Sequence, residues 1–130
     1  MGDSSDVVDA VGTIVVECHR ERQRLKRERR VILEQVDNDK RELDKLLDEE
    51  EDIRADLVDA LDGHQRVKWN VVFQLAWNAF RVSDDYNTLQ EKTERRQEQS
   101  ERLWKRSKRL VDDARDAVKE LLKEVEEDEE

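Results

Sequence analysis

Among the side chains able to carry out chemistry, Cys18 is the one thiol and His19 and His64 are the only imidazoles. A zinc site needs Cys or His ligands paired at short spacing, and none are paired here. A di-iron bundle needs a Glu three residues before each His on a helix, and those places hold Val16 and Leu61. No glycine-rich phosphate loop and no nucleophile elbow occurs. Carboxylates are abundant, but abundance alone is expected of a chain in which 46% of residues are charged. Cys18 falls on an apolar helical seam, where a buried thiol is its ordinary state. The sequence therefore predicts no enzyme, no metal and no cofactor.

A different kind of chemistry, apolar association, is concentrated in "KWNVVFQLAWNAF", residues 68–80. Nine of its thirteen residues are apolar, and it carries two of the three tryptophans. Trp69, Phe73, Ala76 and Phe80 recur at steps of four, three and four, as one stripe of a helix, and Trp77 lies close to the side opposite the seam. A helix apolar almost all round is normally covered on several sides. One reading is a small local core folded over Trp69 and Trp77. The favoured one is a partner-binding or self-association surface made by Trp69, Phe73, Trp77 and Phe80, since large aromatics dominate interface energetics and such patches rarely stay exposed.

Charge is segregated as well. Residues 18–30 and residues 95–109 each carry seven basic and two acidic side chains, within a chain whose net charge is −10. Folding the chain back on itself would bring these runs to one level as a basic belt, with Arg20, Arg24, Arg27, Arg30, Arg102, Lys105, Arg106 and Arg109 as its candidate patch. Two solvated helix faces, partly neutralised by i,i+4 pairs such as Glu101 with Lys105, are the plain alternative. A binding role would call for an acidic protein or a phosphate surface. The overall negative charge makes nucleic acid the less favoured of these.

The element that must position these residues is the helix. Proline is absent and only three glycines occur, so little interrupts long helices. From Val8, alternate steps of three and four reach sixteen positions ending at Ala60. Twelve are apolar, and Arg22, Arg29, Asp39 and Glu50 are the polar insertions expected to set register. A second seam runs from Val72 to Leu121 on the same rule. Gly63 lies between the two, near the middle of the chain.

The expected fold is all-α: a long antiparallel helical hairpin or coiled coil, part of a larger bundle or oligomer. The expected bounds are one domain over 1–124, with a helix over 6–62, a turn near Gly63 and a helix over 65–124, followed by a frayed acidic tail over 125–130. Each arm would be ~85 Å long. Two registers keep the seams in step: position numbers summing to 125, which sets Arg29 against Arg96, or to 132, which sets Asp39 against Thr93. The β-branched "DVVDAVGTIVV" has strand propensity, and "VDND" or "VSDD" could break the arms.

The single cysteine fits a reducing compartment. Asp6 stands where a myristoylation motif wants Ser or Thr, the acidic start does not resemble a signal peptide, and no run approaches the ~20 apolar residues of a membrane span. The expectation is a soluble intracellular protein, cytoplasmic or nuclear. Its expected function is that of a non-catalytic coiled-coil scaffold or adaptor docking partner helices through 68–80, as a homo-oligomer or hetero-complex. A nucleic-acid or phosphate-surface binder using the basic belt is the alternative.

Overall fold

The fold, from a computed structural model, describes residues 4–63 and 66–129. Met1, Gly2, His64 and Gln65 lie outside them, and with them the myristoylation position and the expected start of the second helix. The chain is an all-α hairpin of two long helices packed on each other, α1 (Ser4–Ala60) and α2 (Trp69–Glu129), with no strand among the described residues.

The β-branched N-terminal stretch is helical, because its apolar residues continue a stripe that packing can bury. Neither "VDND" nor "VSDD" breaks a helix. Val36, Asp39 and Val82 within them are all buried, and Asp39 bonds across the interface instead of competing for its own backbone. After Ala60 the chain enters a turn, in which Leu61 N–H donates to Leu57 C=O at 3.0 Å and Asp62 N–H to Asp59 C=O at 3.2 Å. Gly63 has no positive φ, so the turn does not require glycine's conformational freedom.

α2 starts later than the sequence pattern placed it. The Lys68 carbonyl accepts from the Val71 and Val72 amides at 3.0 and 3.1 Å, which makes Lys68 the N-cap residue. Lysine offers no acceptor to the free amides there and the first turn has no acid, so no local signal marked the start. At the other end α2 continues to Glu129, beyond the expected limit at 124. Val125, four residues past Leu121, is half-buried there and extends the stripe.

The hairpin divides into two compact units, each containing a piece of both helices. One joins α1 up to Ile32 with α2 from Glu98, and the other comprises Leu33–Gln97. In the first unit Leu25 is 1% exposed. Its buried stripe on α1 differs from the expected seam: Val8 and Val15 are exposed, while Val7 and Ile14 are turned inward. The half-buried and buried positions 14, 18, 21, 25, 29 and 32 contain two successive steps of four. That is a stutter, which locally unwinds a heptad helix and moves the stripe by one residue. The sequence hides it, since Val7 and Val8, and likewise Ile14 and Val15, are apolar in either phase.

In the second unit the register is the one that sets Asp39 against Thr93. The Thr93 hydroxyl donates to the Leu89 carbonyl at 2.8 Å and lies 3.3 Å from the Asp39 carboxylate, which also pairs with the Arg96 guanidinium. In the first unit Arg29 Nε donates to Ser100 Oγ at 3.1 Å. Each arginine thus has its own partner, and the like-charge layer of the other register does not form.

Candidate functional site

Along α2, Val72, Leu75, Ala79 and Val82 turn towards α1, and Val82 is 1% exposed. At 100° per residue, Trp69, Phe73, Trp77 and Phe80 fall within an arc of about 80°, centred roughly 130° away from that seam. Burial agrees with the geometry. All four are open to solvent, from 61% at Trp69 to 75% at Trp77. The local-core reading, with these rings folded inward, is not what the described residues adopt. Between Lys68 and Arg81 there is no charged side chain, so the arc is a neutral, aromatic strip on a highly charged molecule. In the same unit, Val58 on α1 and Leu61 in the turn after it are also exposed.

The basic residues distribute differently from their order along the chain. All eight of the expected patch are exposed. Arg20 and Arg27 project from the back of α1, and Arg102 and Arg109 from the back of α2, each about 120–160° round from the buried stripe of its own helix. Those two sets therefore lie on outer faces and do not converge. Arg24 is paired with Glu21 and with Glu28, the latter at 2.9 Å, while Arg106 reaches Glu21 at 3.6 Å and Lys105 reaches Glu101 at 3.3 Å. The Arg24 hydrogen bond holds the Glu21 carboxyl below its ordinary value of 4.5; desolvation opposes it, and the charges of Arg24 and then Arg106 add to the lowering. Arg24 is raised above its usual value by the same bond, with Glu28 adding to it. Arg30 has no ion pair among the described residues.

What the charge count missed is a groove of about 700 Å³ in the first unit, between α1 and α2. Arg22, Lys26, Arg29, Lys108 and Arg115 line it, with Asp112 as its one acid. Leu25, Leu103 and Val111 supply apolar walls, and Trp104 lies beside Lys108, whose Nζ is 5.2 Å from the ring centroid. None of the five cations has an ion-pair partner among the described residues. Arg22 donates only to Ser107 Oγ, at 3.4 Å, and Arg29 only to Ser100 Oγ. Each guanidinium has five N–H donors, so most remain available. Helical phase would have found this: 22, 26 and 29 share one face, as do 104, 108, 111 and 115.

Cys18 is half-buried and its thiol donates to the Leu110 carbonyl at 3.6 Å. Among the described residues no three His, Cys, Asp or Glu side chains converge as a metal site, and no helix is long and apolar enough to cross a membrane. No protein-family model, curated protein or solved structure matches the chain. The functional reading therefore rests on these two surfaces.

Proposed function

We propose that this is a non-catalytic helical interaction protein, a subunit or adaptor of an assembly, which docks a partner helix through α2 residues 69–80. The observation that carries the reading is the outward arc of Trp69, Phe73, Trp77 and Phe80, uncharged and unused by the hairpin's own packing. Covering a large apolar side chain is worth about 1.5–3 kcal/mol. Four on one arc exceed what scattered surface residues account for and match the aromatic anchors of interface hot spots. The mechanism is burial: the seam packs the start of α2 against α1, and the arc is presented on an already formed helix at little entropic cost.

Replacing Phe73 and Trp77 with Ser tests this. Association should be lost while helical circular dichroism stays close to the parent's, because both side chains point away from the seam. In the parent, tryptophan emission should shift to the blue on association. Unfolding of the double variant from a parent that was already monomeric would instead make these rings structural, and the reading would fail.

A second reading has its own observation. The groove of Arg22, Lys26, Arg29, Lys108 and Arg115 beside Trp104 has the cations and the stacking platform for a phosphate-bearing ligand. It is the less favoured, since the whole chain is acidic and repels long polyanions.

A further inference from the structure

We propose that the occupant of the aromatic arc is a second copy of this chain, paired antiparallel across a twofold axis near Leu75. The inference rests on the docking role of residues 69–80 and names the partner. Three features of α2 support it.

The first is spacing. Trp69, Phe73, Trp77 and Phe80 are separated by four, four and three residues. Reversed, the order is three, four and four, which nearly superimposes on the original. Setting Phe73 of one copy opposite Trp77 of the other brings Trp69 opposite Arg81 and beside Phe80. The arc is thus close to self-complementary, as a twofold interface requires.

The second is charge. The neutral arc is preceded by the cations Arg66 and Lys68 and followed by Arg81 and then the acids Asp84 and Asp85. Asp84 continues the arc itself, one turn beyond Phe80. In the antiparallel pairing Asp84 of one copy reaches the N-terminal end of the other copy's α2, towards the segment before Trp69 that carries Arg66 and Lys68. The first turn of that helix has no acid, and its N-cap side chain, a lysine, offers no acceptor. The second copy supplies the negative charge that this helix end lacks. A parallel pairing would set lysine against lysine and aspartate against aspartate.

The third is area. A large aromatic covers about 150–250 Å² when fully buried, so at these exposures the four offer on the order of 500 Å² per copy. A pair would remove roughly 1,000 Å² in total, at the lower edge for a specific interface. The dimer should accordingly form in the micromolar range, and concentration should govern it.

Sedimentation of the full chain over a wide concentration range, at physiological and at high salt, tests the proposal. The parent should pass from monomer to dimer, and both F73S/W77S and the separate variant W69Q/F80Q should remain monomeric with parental helicity. Because the twofold repeats every contact, R66E/K68E alone or D84K/D85K alone should each weaken the dimer roughly tenfold. Combining all four reversals should restore it. A parent monomeric throughout would overturn the second-copy assignment but leave docking to a different protein standing. A dimer that persists in both aromatic variants would overturn both the assignment and the docking role. A dimer lost in the aromatic variants but not recovered by the combined reversal would overturn the antiparallel pairing.

Discussion

Asp39 of α1 and Arg96 of α2 form an ion pair inside the helix interface, with the carboxylate side chain 11% exposed and the guanidinium side chain 25% exposed. Thr93 stands beside the same carboxylate. The pair occupies a seam level that an apolar residue could fill, so its role is choice of register more than stability. Removing one member leaves the other without its partner. Asp39→Ala should therefore destabilise by about 1–2 kcal/mol, towards the low end because Arg96 can still reach water. Asp39→Leu combined with Arg96→Leu should recover that loss or exceed it in urea unfolding. Spin-label distances between the arms should then broaden, as the alternative register becomes accessible. A double variant with one sharp distance would deny the pair its register role.

Gly12 sits within α1 with nothing within 4 Å of where a Cβ would stand. Alanine there meets no clash and removes the conformational freedom of glycine from the unfolded chain. Gly12→Ala should stabilise by about 0.5–1 kcal/mol. The effect should appear as slower amide exchange over residues 10–16. Unchanged exchange would mean that this end of α1 opens locally whatever its propensity.

The hairpin is legible in the sequence because a narrow stripe is nearly all that this chain can bury. Every expected seam position of α2, from Val72 to Leu121, is buried or half-buried. On α1 the pattern misleads only at Val8, Val15 and Arg22, in the region of the stutter. Neighbouring valines leave the phase undetermined there, and only packing against α2 chooses it. The outward direction of the aromatics could be read from angle alone, since four rings cannot share a seam with Leu75 and Val82. The cationic groove could not be read from charge runs. A run records order along the chain, whereas the groove joins faces of two helices, one of them carrying Arg22 and Arg29 that looked like simple register residues.

Glu21 gives the molecule a defined acid response. Its carboxyl is held below 4.5, chiefly by the Arg24 hydrogen bond, so its favourable contribution is present above the unfolded value and is lost as pH falls through the folded one. Protonation ends its attraction to Arg24 and Arg106, which keep their charge. The parent should melt above Glu21→Gln at neutral pH, and the gap should close as pH falls through and below the ordinary carboxylate range. The gap will be small, because the pair is largely open to solvent, with the Arg24 side chain 48% and the Glu21 side chain 31% exposed. A gap independent of pH would assign the difference to helix propensity instead of to charge.

The groove and the outer faces of the first unit provide a direct comparison of position against net charge. Lys26, Lys108 and Arg115 line the groove, while Arg20, Arg27 and Arg102 point outward. Converting either set to Glu changes the net charge by the same amount. Short single-stranded nucleic acid is expected not to bind the parent measurably near physiological salt, because long-range repulsion from an acidic chain outweighs a few local contacts. With Trp69 and Trp77 changed to Phe, Trp104 remains as the one tryptophan and its fluorescence reports on the groove. Quenching that weakens steeply with salt, disappears in the groove set and survives in the outer set would reverse the order of the two readings. Equal loss in both sets would mean diffuse attraction to a basic region, since a built site depends on where its cations stand and not on how many the chain carries.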